Sequence, residues 1–204
     1  MPILFSELLT IIEQFHSIGY IHRDIKPHNL CARFHGDSPI MLIDFGISKL
    51  YLDANRQHIE ARDHANAIGS PLYSSPNAVE HIELSRRDDL YSLVYSILDI
   101  CGAQLPWKGQ DFQTAGQIKK QTPLAKLLEP YGENFVEIGR HIDSLQYKDA
   151  PDYKMLRELA MRNAPPGVDF QWKDAKPRNP NYIKAAQRAG FNLDRNGFLL
   201  ELCP

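Results

Sequence analysis

The sequence has 204 residues, of which 43% are hydrophobic, and its formal net charge is -2. This length and composition suit one folded domain with a core of its own. The 23 basic and 25 acidic residues create no overall positive field, so we expect no nucleic-acid partner. No apolar run is long enough to cross a bilayer, so we expect no membrane partner. The three cysteines lack disulfide-framework or metal-ligand spacing, which favours the cytoplasm, or else the nucleus.

The predicted elements begin with a helix over the first 18 residues, which Gly19 ends. Two short apolar runs, 29–34 and 40–43, flank a Gly-Asp-Ser-Pro turn and predict a hairpin. Residues 46–80 lack periodicity and predict a long loop. Apolar spacing then predicts helices at 86–101, 111–121, 134–145 and 152–162.

The composition changes after residue 162, where prolines become frequent. We therefore predict two regions, a folded domain at 1–162 and a Pro-rich C-terminal extension at 163–204. The prolines that mark the change are Pro165, Pro166, Pro177 and Pro180.

Reactive side chains concentrate in two motifs, HRDIKPHN at 22–29 and DFG at 44–46. The Asp44 carboxylate and the Asn29 amide oxygen are hard ligands that suit Mg²⁺. A further carboxylate, Asp24, can orient a hydroxyl group and accept its proton. Lys26 can neutralise charge on a phosphoryl group. This combination favours phosphoryl transfer, which depends on positioning and electrostatics more than on covalent catalysis.

The two motifs resemble the catalytic loop and the magnesium loop of eukaryotic protein kinases. The resemblance implies an α+β, protein-kinase-like fold, represented by a mainly α-helical C-terminal lobe with a small β-hairpin. It also implies ATP and Mg²⁺ as cofactors and a protein as substrate. The pair Lys26-Pro27 is similar to serine/threonine kinases rather than tyrosine kinases.

Three further motifs resemble the casein kinase I group: GSPLYSSPN at 69–77, SRRDDLYS at 85–92 and LPW at 105–107. Within that group, QLPW at 104–107 and IDSLQY at 142–147 most resemble the tau-tubulin kinase branch. Asn77 stands where most kinases have the glutamate of Ala-Pro-Glu. Leu72 stands where the group has a basic residue that helps to bind phosphorylated or acidic substrates. The resemblance therefore does not extend to that substrate preference.

The resemblance implies a role for each matching residue. Asp24 would be the catalytic base, Lys26 would contact the γ-phosphate, and the Ser70 hydroxyl would bridge the two. Asn29 and Asp44 would hold Mg²⁺, with Lys26 completing the cofactor site. Structural support is implied for four further residues: His22, Arg23, Gly46 and Asp89. Asp89 would bind the backbone of the catalytic loop, and we expect its neighbour Asp88 to be exposed.

The sequence begins within the helix that precedes the catalytic loop, so we expect the N-terminal, nucleotide-binding lobe to be absent. Our first hypothesis is an incomplete catalytic domain of a serine/threonine kinase, which would turn over little by itself. The alternative is a non-catalytic truncated lobe that acts as a protein-binding module. In either case a separate chain that supplies the missing lobe is a candidate partner. A small-molecule phosphotransferase is disfavoured, because the long segment 46–80 suits a polypeptide substrate.

Overall fold

The computed structural model describes residues 1–32, 39–63, 65, 68–165, 167 and 170. The chain divides into two units, one of 1–31 with 40–168 and one of 32–39 with 169–204. The elements below belong to the first unit, except for the last residue of one strand. The predicted extension at 163–204 lies almost wholly outside the described residues, so its boundary stays a prediction.

Helices dominate the described part of the chain. They are α1 (Pro2–Ser17), α2 (Pro76–Val79), α3 (Arg86–Ile100), α4 (Phe112–Lys120), α5 (Leu124–Leu127), α6 (Glu133–Ser144) and α7 (Tyr153–Met161). The strands are β1 (Tyr20–Ile21), β2 (Leu30–Ala32), β3 (Ile40–Leu42) and β4 (Lys49–Leu50). The five helices predicted from apolar periodicity are confirmed to within two residues at each end, and the mainly helical fold is confirmed with them.

Polar side chains at the helix starts explain where several of these helices begin. The Asp111 carboxylate accepts a hydrogen bond from the Thr114 amide at 3.0 Å, and the Asp152 carboxylate accepts one from the Met155 amide at 2.9 Å. These bonds satisfy amides that have no partner within the helix. Helix α3 begins with a capping box formed by Ser85 and Asp88.

Helix α3 forms the centre of the core and is buried on most of its circumference. Helix α1 packs against α7 and α3, and α6 packs against α5 and α7. Gly139 allows α6 to approach α5, because a Cβ at this position would lie 2.5 Å from the Ala125 backbone nitrogen. None of the described helices combines the length and the apolar character needed to span a bilayer.

Two small sheets frame the catalytic motifs. Strand β2 pairs with β3, as expected for the predicted hairpin. Strand β1 pairs antiparallel with β4, with Tyr20 opposite Leu50. The prediction of a long loop at 46–80 was therefore wrong in part, because this segment contains β4, an isolated pairing of Leu52 with His58, and α2. Such short pairings depend on distant partners and leave no periodic signal in the sequence.

Candidate active site

The loop that follows β1 brings two motif side chains onto the carboxylate of a third. Asp24 Oδ2 accepts hydrogen bonds from Lys26 Nζ at 2.6 Å and from Asn29 Nδ2 at 3.3 Å. Asn29 Nδ2 also donates to the Asp24 backbone oxygen at 2.9 Å. A 3-10 turn at Pro27–Asn29 shapes this approach, since it folds the loop back on itself. The orientation of Asp24 is thus fixed by its own loop.

Ser70 approaches the same carboxylate from a distant part of the chain. Its Oγ donates to Asp24 Oδ1 at 3.3 Å. Lys26 bonds to Oδ2 and Ser70 bonds to Oδ1, so these two side chains flank the Asp24 carboxylate on its two oxygens. The Asp24 side chain retains 13% exposure, which leaves it accessible to a small reacting group.

Asp44 lies on an exposed turn beside Asn29. The Ile43 amide donates to the Asn29 backbone oxygen at 3.0 Å, which joins the two segments. Asp44 has a positive φ of 65°, and its Oδ1 accepts from the Gly46 amide at 3.3 Å. A Cβ on Gly46 would lie 3.3 Å from that oxygen, so glycine keeps the turn open. The structure thereby places two hard-oxygen side chains on adjacent segments.

Asp89 anchors the catalytic loop from the first turn of α3. Its two carboxylate oxygens accept the His22 amide at 2.7 Å and the Arg23 amide at 2.8 Å. His16 Nε2 in α1 lies 2.8 Å from the same carboxylate. Burial acts to raise the pKa of Asp89, but these three hydrogen bonds hold it below its ordinary value. Asp89 therefore remains charged in a fully buried position.

His22 connects the catalytic loop to the Asp44 turn. Its Nε2 lies 3.1 Å from the Ile43 backbone oxygen, and its Nδ1 lies 3.3 Å from the Asp24 amide. A carbonyl can only accept and an amide can only donate, so these contacts fit the tautomer in which Nε2 donates and Nδ1 accepts. The His22 ring also packs edge-to-face with the rings of Phe15 and Phe45, which stack on each other with their ring centroids 5.2 Å apart.

Arg23 supports the loop through its backbone and its side chain. It has a positive φ of 69°, a conformation that the two hydrogen bonds to Asp89 stabilise. Its Nε donates to the Ile47 backbone oxygen at 2.6 Å, which connects the catalytic loop to the segment after Gly46.

The expectation that Asp88 is exposed was wrong. Asp88 is buried and accepts hydrogen bonds from Ser75 Oγ at 2.6 Å, Asn77 Nδ2 at 2.8 Å and the Ser85 amide at 2.8 Å. Burial raises the pKa of Asp88 above its ordinary value, although these bonds act in the opposite direction. The spacing Ser-x-x-Asp at 85–88 was the available signal, because it is typical of a capping box.

Two further buried charges were missed. Glu83 forms ion pairs with Lys49 at 2.8 Å and with Arg62. Burial acts to raise the pKa of Glu83, yet the hydrogen bonds from Arg62 and Lys49 keep it below its ordinary value. Lys119 in α4 is buried against the segment that carries Ser70. Neither residue belongs to a motif or lies in an apolar run, so the sequence alone gave no signal for either.

The chain also matches the model of a known protein family. The model of the protein kinase domain matches residues 3–150, which is most of the chain. The fold and this match define a mainly helical lobe of the protein kinase class. The chain belongs to the protein kinase family.

Proposed function

We propose that this chain carries the catalytic site of a serine/threonine protein kinase of casein kinase I type, which transfers the γ-phosphoryl group of MgATP to protein hydroxyls. The observation that supports the proposal is the arrangement around Asp24. Lys26, Asn29 and Ser70 all bond to its carboxylate, and Asp44 lies on the segment joined to Asn29.

Asp24 would act on the hydroxyl group of the substrate. A carboxylate oxygen would orient this group and accept its proton while the hydroxyl oxygen forms a bond to the γ-phosphorus. The bond from that phosphorus to the β–γ bridging oxygen breaks, and ADP leaves with this electron pair. Lys26, whose ammonium lies 2.6 Å from Asp24 Oδ2, would counter the charge on the transferred group.

Asn29 and Asp44 would hold Mg²⁺. Asn29 uses its Nδ2 in bonds to Asp24, so its amide oxygen faces away from them. Asp44 is exposed on its turn. Mg²⁺ binds through one or two protein carboxylate or amide oxygens together with substrate phosphates, so these donors fit it. When bound, the ion neutralises phosphate charge as the transfer proceeds.

The closer assignment to the casein kinase I group draws support from Asn77. Its Nδ2 donates to the buried Asp88 at 2.8 Å, so an amide suits this position where most kinases have a glutamate. A glutamate here would set a second carboxylate against Asp88. The tau-tubulin kinase branch remains part of the proposal on sequence resemblance.

A non-catalytic binding module is the second candidate, and exposed apolar side chains favour it. Phe45 is 51% exposed, Leu50 is 47% exposed and Met41 is 46% exposed. Large contiguous apolar patches mark interaction sites, and this candidate function requires these side chains to belong to one such patch. A segment or chain that supplies the nucleotide-binding lobe is the partner that we propose, because Phe45 belongs to the magnesium-loop motif.

The deciding experiment uses the protein in the form isolated from its source cells, after its intact mass has been measured. Transfer from [γ-³²P]ATP to casein and to myelin basic protein is followed with Mg²⁺ present. We expect transfer to Ser or Thr that Asp24→Asn lowers about a thousandfold or more. Asp63→Asn is the matched control, since Asp63 is exposed and lies outside the site. Transfer that survives in Asp24→Asn would contradict the role given to Asp24, whereas absence of transfer by the native form would favour the binding module.

A further inference from the structure

The segment at 70–75 is held by a different partner at almost every residue. On one side, Ser70 Oγ donates to Asp24. On the other, the backbone oxygen of Leu72 accepts from Trp107 Nε1 at 2.8 Å, and the Tyr73 hydroxyl donates to Asp99 at 2.8 Å. Ser75 Oγ donates to Asp88 at 2.6 Å. The two remaining contacts, at the backbone oxygens of Pro71 and Ser74, come from a single side chain of α4.

That side chain is Lys119, whose ammonium is enclosed by backbone and aromatic groups. Its Nζ donates to the Pro71 and Ser74 backbone oxygens, each at 2.6 Å. The same Nζ lies 5.3 Å from the Tyr95 ring centre and 5.2 Å from the Trp107 ring centre. The residue is only 2% exposed. An ammonium has three donors and no acceptor, and carbonyls and ring faces are groups that accept from it.

We propose that Lys119 is a positioning residue, which holds the backbone of residues 71–74 and through it sets Ser70 against Asp24. Lys119 does not touch the reacting groups itself. The inference rests on the proposed function only in one respect, the role of Asp24 as the base of the phosphoryl transfer. The hold on the segment is independent of that function.

The connection from Lys119 to Asp24 runs through the turn at 70–74. The amides of Tyr73 and Ser74 donate to the Ser70 backbone oxygen at 2.9 Å and 2.8 Å. Lys119 binds the backbone oxygens on both sides of this turn, at Pro71 and Ser74. Removal of the Lys119 nitrogen, which has donors for both carbonyls even as a neutral amine, would leave them without their partner and loosen the turn. The hydrogen bond from Ser70 Oγ to Asp24 would then lose its fixed geometry.

The charge of Lys119 is not balanced by a carboxylate within the part of the chain that the structure describes. The charged groups on neighbouring elements have other partners. Asp99 of α3 bonds to Tyr73 and to Lys108 on the turn before α4, and Glu80 after α2 pairs with Lys120. Tyr95 of α3 and Trp107 face the ammonium with neutral rings. Burial therefore lowers the pKa of Lys119 from 10.5 to about 7.

This charge state gives the contact a pH dependence of predictable sign. When residues 71–74 are bound to Lys119, which is the docked state, Lys119 loses its proton at about pH 7. When the segment moves away and exposes the side chain, which is the opened state, Lys119 keeps its proton up to about pH 10.5. The opened state then binds more protons between these two values. Opening therefore becomes less favourable as the pH rises, by up to about tenfold per pH unit.

The test is hydrogen exchange at the Tyr73 and Ser74 amides, measured by NMR on the full chain. In Lys119→Met, which keeps the length and apolar body of the side chain, we expect exchange at both amides to accelerate about tenfold or more relative to amides of α6. Lys120→Met is the matched control, because Lys120 is exposed and pairs with Glu80. Equal acceleration throughout the molecule, or no difference between the two variants, would overturn the proposal.

A second measurement needs no substitution and so remains decisive if Lys119→Met does not fold. In the unmodified chain, the protection factors of Tyr73 and Ser74 should rise between pH 7 and pH 9, by up to about tenfold per unit. Protection factors that stay constant over this range would also overturn the proposal. The exchange test decides the role of Lys119 even if the chain transfers no phosphate, so the two failures are distinguishable.

Discussion

Two buried regions of this molecule are built from different chemistry. The cleft region comprises residues 20–30 around the HRDIKPHN motif, the segment at 68–75 and the first turn of α3. Its buried groups are largely polar: His22, Asn29, Asp88 and Asp89 are each at most 5% exposed. The distal region comprises α5, α6 and α7, and its buried groups are almost all apolar, namely Leu124, Phe135, Val136, Ile138, Ile142, Leu156, Leu159 and Ala160.

The difference follows from what each region must hold in place. Apolar burial is strong but has no direction, so the distal region gains stability that many arrangements of similar volume would provide. Hydrogen bonds are directional, and Asp24 needs a defined orientation toward Lys26, Asn29 and Ser70. The cleft region therefore contains buried carboxylates, whose desolvation is unfavourable, and each of them is compensated by two or more hydrogen-bond donors.

The largest effect is expected from Asp89→Asn in the cleft region. The introduced amide group would face three donors, from His16, His22 and Arg23, and at least one of them would lose its acceptor. We expect the free energy of unfolding to fall by about 3 kcal/mol in urea titrations. Asp63→Asn, at an exposed position, should leave it nearly unchanged, and a similar loss in that variant would contradict this account.

A smaller loss is expected from Gly139→Ala in the distal region. The new Cβ would lie 2.5 Å from the Ala125 backbone nitrogen, and backbone cannot move aside as a flexible side chain can. Overpacking should cost about 2 kcal/mol of unfolding free energy, even though alanine is the better helix former. Glu137→Ala, on the exposed face of the same helix, serves as the control. A stabilised Gly139→Ala protein would show that α5 and α6 do not pack as described.

Tyr153→Phe tests a connection between the two regions and should have a milder effect. The Tyr153 hydroxyl of α7 lies 2.5 Å from His16 Nδ1, and His16 Nε2 bonds to Asp89. Removing the hydroxyl leaves His16 Nδ1 without its partner, which should lower the free energy of unfolding by about 1 kcal/mol. Urea titration measures this cost, and Tyr131→Phe is the control because no hydrogen bond of its hydroxyl is seen in the described residues. Equal stability of the two variants would refute the connection.

The smallest effect concerns the adjacent carboxylates of the cleft region, whose pKa values shift in opposite directions. Carbon-13 NMR should show Asp89 still ionised below pH 3.8 and Asp88 still protonated above it. The contribution of Asp89 to stability is then lost as the pH falls below 3.8, whereas ionisation of Asp88 costs stability as the pH rises above it. The Asp88→Asn variant lacks the carboxylate resonance of Asp88 and thereby identifies it. Two carboxylates that titrate together would contradict the different environments.

The elements predicted well from sequence are those whose signal is local. The apolar spacing of α1 and α3 reports the face that each helix buries, and Asp152 marks the start of α7 because capping is a local interaction. The pairing of β1 with β4 was missed, since two residues opposite two others across nearly thirty positions carry no pattern. Helix α2 was missed because its four residues are too few to show an apolar period.

The candidate site divides in the same way. Asp24, Lys26, Asn29 and Asp44 lie in contiguous motifs, so their grouping was predictable. The roles of Ser70 and Asp89 came only from resemblance, because each reaches the catalytic loop from more than 40 positions away. Lys119 was not predictable at all. A lysine at the end of an amphipathic helix normally faces solvent, and only the folded chain shows the two carbonyls that bind it.

The most direct test of the contrast is hydrogen exchange, compared between Asp89→Asn and Gly139→Ala. The informative amides are those of His22 and Arg23, which bond to Asp89, and those of α6. We predict that Asp89→Asn accelerates exchange at His22 and Arg23 far more than in α6. Gly139→Ala should instead accelerate exchange in α6 and leave the His22 and Arg23 amides no faster than the overall loss of stability requires. The same pattern of acceleration in both variants would contradict the claim that polar contacts, rather than apolar packing, fix the geometry around Asp24.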